Sequence, residues 1–530
     1  MANWIKRIFA RAELEPHANA DPIFALNGSA DANRAAELKA QGDALLGANN
    51  FTEAEASYRR AIAVAPKLAS AHAGLGFAQH AQGCRDAAIS ALSQALDIDP
   101  TIGEAHYLLA TLARDMGKAE EAENGFRTAL GVTPSLEAAY LDLCMLLVGQ
   151  GRFEEAVAVI SDGLAANPSS ANLHFYLGNL QHGLSQLDSA AASFRTALLM
   201  NPNQPGALNN LGLVLSTQGK MTEAINIFQS LAEQNPKSAD IQNNLGNAWQ
   251  ECGKYDEAQA CFQRAIDIEP MFVKAYFNLG NAYLLQRKYG AAEEVFRAAL
   301  TINPDHVQTQ IRLGITLNKR EQFDSAAEQF RVALKSEPDN KEALIELAEA
   351  LQAQKKYDEA LVCYNKVLVL DPQNADMHYN LGILLRIQSA ANNSGDKADA
   401  IERAIKAYRA ALLADSNHVR AHYNLGLLLQ ESGRSNEAIA CFHQILSIDN
   451  NFYLAHHNLG AIYFLQAQSS FGARKVELLD KAVWHFESVL AINPQHVDSH
   501  TAIATSMAAC KRNEEAMHHY DRALSIEPTS

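Results

Sequence analysis

Two histidine pairs, His418 with His422 and His496 with His500, have the i, i+4 spacing that lets two imidazoles on one helical face share a metal ion. The sequence offers no third ligand at a useful interval. His72, His106, His174, His378, His422, His456 and His500 also recur at one register, where a packing role accounts for them. The seven cysteines include no CxxC pair, and Cys261, Cys363 and Cys441 each precede an aromatic residue, which reads as small buried thiols in a reducing compartment. "GLGFAQ" at 74 to 79 lacks the third glycine of a dinucleotide fingerprint, and neither GxxxxGK[ST] nor GxSxG occurs. No catalytic residue, cofactor or metal is expected from this inventory. Amides are the polar groups with a pattern. Asn210, Asn244 and Asn278 recur every 34 residues, Asn380, Asn424 and Asn458 share the same register, and Arg312 and Glu346 stand between the two runs. A carboxamide offers a donor and an acceptor together, as an extended peptide backbone does in return. Asn179, Asn247 and Asn281, at a register three positions further on, would extend the same wall.

What could hold amides at such intervals is visible in the small residues. Prolines at 66, 100, 134, 168, 202, 236, 270, 304, 338 and 372 are 34 residues apart, and Ser416, Asn450, Pro494 and Pro528 continue the phase with two intervals of 44. Counted this way, fourteen repeats fill residues 35–530, after an N-terminal segment of residues 1–34. Alanine occupies the twentieth position of every repeat, and glycine the eighth in ten of them, including Gly178, Gly212, Gly246 and Gly280. Glycine inside a helix costs about 1 kcal/mol relative to alanine, so close helix approach is expected there. The alanine would take the space beside the glycine, and an aromatic such as Phe228, Phe262 or Phe296 would fill in four residues later. Thr52 with Glu55, and Asp256 with Gln259, have the spacing of capping boxes for the second helices.

These residues resemble the tetratricopeptide repeat, a helical hairpin with Leu-Gly near its start, Ala and an aromatic in its second helix, and Pro at its end. "NNLGNAWQECGKYDEAQACFQRAIDIEP", ending at Pro270, is a clear instance. The resemblance implies an all-α, right-handed superhelix (an alpha-alpha solenoid) of about fourteen hairpins, with first helices lining a concave groove. The asparagine series is similar to the ladder in the repeat region of O-linked N-acetylglucosamine transferases, which implies that it grips polypeptide. Solvation of the groove is the other reading of the same amides. A clamp for acidic chaperone tails fits less well: Asn247, Asn278 and Arg312 match, but Asn243 and Gln308 stand where lysines are expected.

The net charge of -16, from 44 basic and 60 acidic residues, opposes a phosphate backbone, so nucleic acid is not expected as a partner. No run approaches the ~18 apolar residues of a membrane span, and the start lacks a secretory leader, so the chain reads as cytoplasmic. Trp4, Ile5, Ile8 and Phe9, interleaved with Lys6, Arg7 and Arg11, suggest a short amphipathic helix or a degenerate cap. The 44-residue intervals place ten-residue insertions near 388–399 and 467–477, between the helices of repeats eleven and thirteen. Five extra residues per helix would lengthen those hairpins by roughly 7 Å. They are loop growth or a docking ledge. Met507, Met517, Tyr520 and Leu524 would lie uncovered at the final hairpin, where self-association is one outcome. The expected function is a non-enzymatic scaffold that binds an extended polypeptide in its groove. The alternative is substrate recognition for protein O-GlcNAc-type glycosylation, with a glycosyltransferase domain on another chain.

Overall fold

The computed structural model describes residues 30–391 and 397–527. The Trp4 to Phe9 segment and the centre of the first insertion fall outside them. The described residues form helices and no strands, and they divide into two compact units meeting between Pro270 and Met271. Each unit is a stack of antiparallel helical hairpins.

The seventh repeat shows why the sequence folds this way. Its second helix, Tyr255–Ile268, buries Ala258, Cys261, Phe262, Ala265 and Ile266, which is the apolar stripe of a helix packed on one side. Its first helix, Ala239–Glu251, buries seven residues because it is covered by its own partner and by neighbouring repeats. Between them the chain turns at Gly253, whose φ of +73° lies in the left-handed region. The same turn recurs with glycine at 83, 117, 151, 219 and 433, and with Asn49, Ser185, Arg287, Glu321, Lys355 and Lys511 elsewhere. Those side chains hold a conformation that costs them roughly 1 kcal/mol, and tight closure of the hairpin outweighs it.

The helical glycines contact a different partner from the one expected. A Cβ on Gly246 would lie 2.5 Å from Cε1 of Phe262, and one on Gly280 would lie 2.4 Å from Cε1 of Phe296. The ring, sixteen residues later, lies directly on the glycine. The twentieth-position alanines are buried, but they are not what the glycine accommodates.

The expected capping boxes are also displaced. The N-caps of the helices Phe51–Val64 and Tyr255–Ile268 are Asn50 and Lys254, so Thr52 and Asp256 lie inside the first turn. The left-handed turn brings the chain into the helix earlier than capping spacing suggests. Glu55 does not fold back; its carboxylate accepts from Arg59 at 2.8 Å and from Gln79 and Gln82 of the next repeat at 3.2 and 2.9 Å. Side-chain caps occur instead on first helices, where Ser170, Asn340 and the Nδ1 atoms of His306, His418 and His496 accept backbone N–H groups.

The fourth-position histidines do more than pack. Nε2 of His72, His106, His174, His378, His422, His456 and His500 lies 2.9–3.3 Å from the carbonyl six residues earlier, fastening each first helix to the preceding inter-repeat turn. Gln310 makes the same bond to Pro304 at 2.6 Å.

Repeats eleven and thirteen are longer, but unequally. The helices Ala375–Ala391 and Lys397–Ala414 have 17 and 18 residues, whereas Tyr453–Gln468 and Gly472–Ile492 have 16 and 21, against the usual 13 and 14. The second insertion therefore goes mainly into one helix. In the last hairpin Met517, Tyr520 and Leu524 are exposed, but Met507 is buried in its core.

Candidate functional site

Consecutive first helices approach one another within each unit, as Ala171–Gly183, Pro205–Thr217 and Ala239–Glu251 do in the N-terminal unit and Val307–Lys319 and Lys341–Ala353 do in the C-terminal one. A stack drawn together along one row of helices curves toward that row. First helices therefore line the inner side of each unit.

In the N-terminal unit the wall carries a bonded chain of amides. Asn244 Nδ2 donates to Asn209 Oδ1 at 2.9 Å, Asn209 Nδ2 to Asn210 Oδ1 at 3.1 Å, and Asn210 Nδ2 to Asn179 Oδ1 at 2.7 Å. Three repeats are linked in one direction. A carboxamide has two donors and two acceptor lone pairs. Asn209 and Asn210 each spend one donor and one lone pair on the chain, which leaves one N–H and one lone pair on each. All four residues are half-buried and keep part of their surface in solvent. Asn247 stands beside the chain and, among the described residues, makes no hydrogen bond.

Sequence spacing identified three members of this chain and missed Asn209, which bridges them. The signal was the doublet "NN" at 209–210 and 243–244, but a doublet on a helix points its two side chains in different directions, so bonding between neighbours is not evident from it. Asp142 was missed for another reason. It shares the sixth-position register but is a carboxylate, accepting from Tyr107 Oη at 2.7 Å and Arg114 Nη1 at 2.8 Å beside a depression of about 580 Å³.

In the C-terminal unit several first-helix side chains have partners of other kinds. Asn278 and Asn281 lie half-buried on the Val273–Leu285 helix. Arg312 reaches across to Glu342 at 3.0 Å. Asn424 Nδ2 donates to the hydroxyl of Tyr379 at 3.2 Å, and Asn458 turns back onto its own helix, donating to the carbonyl of Leu454 at 2.7 Å. Asn380 lines a cavity of about 460 Å³ with Glu349 and Tyr364. One turn before Glu349, the carboxyl of Glu346 is held above the usual carboxylate range by burial and then by the charge of Glu349. All six sixth-position asparagines lie half-buried on first helices, and Asn210 and Asn244 belong to the bonded amide chain of the N-terminal unit.

Histidines gather in the last two repeats without forming a metal centre. Nδ1 of His456 lies 3.0 Å from Nδ1 of His485, and Nδ1 of His500 lies 3.0 Å from Nδ1 of His519. Among the described residues no group of three or more His, Cys, Asp or Glu side chains could hold a metal ion, and no helix is long and apolar enough to cross a membrane. All seven cysteines are free thiols.

Models of the tetratricopeptide repeat match residues 39–101, 141–207, 183–239, 243–307, 350–386 and 419–452, together more than half of the chain. No curated protein matches the sequence. Among solved structures, YrrB, described as a TPR protein with an unusual peptide-binding site, aligns with 24% identity over 37% of this chain and 95% of its own, at a TM-score of 0.32. The human IFIT1 dimer with m7Gppp-AAAA aligns with 18% identity over 67% of this chain and 90% of its own, also at 0.32. MamA from Desulfovibrio magneticus RS-1 aligns with 19% identity over 32% of this chain and 96% of its own, at 0.31. Likeness at this level concerns the helical-repeat fold alone.

Proposed function

The chain belongs to the tetratricopeptide repeat family, and from that premise we propose that it is a protein-interaction scaffold whose inner walls hold an extended polypeptide. The observation that carries this reading is the amide chain from Asn244 through Asn209 and Asn210 to Asn179. Its internal bonds fix each carboxamide's orientation, so little side-chain entropy is lost when a ligand arrives. Its free N–H groups and lone pairs then match the alternating carbonyls and amides of an extended backbone. Such contacts hold a chain without reading its side chains. Asn247, Asn278 and Asn281 in the middle of the array, and Asn380, Asn424 and Asn458 further on, would add contacts of the same kind.

The test is selection of displayed random twelve-residue peptides on the purified full-length chain and on a variant with Asn→Ala at 210, 244, 278, 380, 424 and 458. The reading predicts that the wild type enriches a defined peptide set and that the variant, with unchanged helical content, does not. Equal enrichment by both, or none by the wild type, would reduce the amides to solvation. The same amide chain supports a second reading, recognition of substrates for a glycosyltransferase carried on another polypeptide. That reading requires proteins captured by the groove to carry O-linked N-acetylglucosamine, and unmodified captured proteins would dispose of it.

A further inference from the structure

The cavity between the tenth and eleventh repeats has features that a backbone-binding wall does not need. Glu349 on the helix Lys341–Ala353 faces Asn380, Ile383 and Ile387 on the helix Ala375–Ala391, and Tyr364 rises between them from the second helix of the tenth repeat. Tyr364 is only 2% exposed, and its hydroxyl, which makes no hydrogen bond among the described residues, is not sealed in the core but opens onto the cavity. Packing does not require that hydroxyl, because Phe228, Phe262, Phe296 and Phe330 fill the same position, fully buried, in other repeats.

The first repeat shows what the hydroxyl does when it is satisfied internally. There Tyr58 donates to Asp43, at the ninth position of its repeat, at 2.8 Å. In the tenth repeat Glu349 holds the ninth position, and phenol and carboxylate line the cavity without bonding to each other. A carboxylate that accepts strongly and a phenol oxygen with a lone pair to offer therefore open onto one space, with two isoleucines along its side. Glu346 lies one turn away, and the cation of Arg312 is already committed to Glu342. Lys355, exposed at the hairpin turn, is the one cation among the lining residues.

We propose that this cavity is the subsite of the groove that takes a lysine or arginine side chain of the bound polypeptide. The cationic head donates to the Glu349 carboxylate and the Tyr364 hydroxyl, and the methylene stem lies against Ile383 and Ile387. A charged donor meeting a carboxylate makes the stronger class of hydrogen bond, and long basic side chains keep their stems on apolar surface in this way. The proposal rests on the polypeptide-binding reading above and gives one register of that ligand a side-chain preference.

Displayed random peptides selected on the full-length chain separate the two claims. The wild type is expected to enrich peptides with Lys or Arg at one fixed position. Glu349→Gln and Tyr364→Phe, both conservative in shape, should abolish that preference while still capturing peptides. For one selected peptide, replacing its basic residue by norleucine should weaken binding about tenfold on the wild type and have little further effect on Glu349→Gln. Enrichment without a basic position, or a basic preference that survives in both variants, overturns the subsite and leaves the groove reading standing. Absence of any enriched peptide overturns both.

Discussion

The last two repeats should loosen in mild acid while the rest of the chain holds. In the thirteenth repeat His456 Nε2 lies 3.3 Å from the carbonyl oxygen of Asn450, which can only accept, so Nε2 carries the proton and Nδ1 keeps its lone pair. His485 Nδ1–H donates to that lone pair at 3.0 Å. Protonation of His456 at Nδ1 puts two N–H groups face to face, and protonation of His485 places a charge in a buried site. His443, Trp484 and Tyr463 complete the surroundings, and none of them offers a compensating negative charge. His485 is 4% exposed, and burial, followed by the neighbouring His456 and His443, holds it down to about 3. Burial also lowers His456. The unfolded chain, with an imidazole near 6.5, therefore binds more protons than the folded one, and stability rises with pH. The contribution is fully present above 6.5 and is lost as pH falls toward the folded value. At roughly 1.4 kcal/mol per pH unit, pH 5 costs about 2 kcal/mol, and because 5 lies well above the folded value this figure depends little on where that value sits. Carboxylates, near 4.3 when unfolded, contribute little at that pH. The fourteenth repeat adds in the same direction, since His519 is lowered by burial and then by His500 and His518. Urea unfolding of single-tryptophan variants provides the assay, with Trp484 reporting on this cluster and Trp249 on the N-terminal unit. Between pH 7.5 and 5 the Trp484 midpoint should fall by about 1 M, given about 2 kcal/mol per molar urea, and the Trp249 midpoint by much less. His485→Leu should remove most of the difference. A Trp484 midpoint that ignores pH, or a leucine variant as acid-sensitive as the wild type, would refute the reasoning.

Two further outcomes follow from the packing. Gly246→Ala should destabilise by about 1–2 kcal/mol in urea unfolding, because overpacking against Phe262 at about 1–3 kcal/mol exceeds the helix-propensity gain of about 1, and Phe262→Leu should restore part of the loss; a stabilised alanine variant would contradict the ring-on-glycine contact. With a thiol reagent at pH 8, Cys84 and Cys252 are exposed and should label first, whereas Cys144, buried and pushed up to about 11, should label only on unfolding; native-state labelling of Cys144 at the rate of Cys84 would contradict its burial.

The periodic small residues made the fold legible, because each marks a local requirement. Proline is excluded from helix interiors and so marks a boundary, and glycine at the eighth position signals a close approach. The ring that needs the glycine was harder to see, since the contact spans sixteen residues and two helices. The caps were misread because the left-handed turn, which advances the helix start, is encoded by glycine in some repeats and by Arg287, Glu321 or Lys355 in others. Spacing alone put six amides at one register of the first helices. Their bonding was not legible, because Asn210 and Asn458 share a register but one reaches the preceding repeat and the other its own backbone. The histidine pairs had a signal in hindsight: His485 and His519 stand where Cys261 and Cys363 do in other repeats, opposite a fourth-position residue.

Whether ligand lies on the inner wall is tested most directly by photo-cross-linking. A photoreactive amino acid would be placed at Asn247, beside the amide chain, or at Arg264, exposed on the second helix of the same repeat, and each chain irradiated with a peptide selected on the wild type. Cross-links from position 247 and none from position 264 are the predicted result. Cross-links from position 264 alone, or equally from both, would contradict a groove lined by first helices as the surface that holds polypeptide.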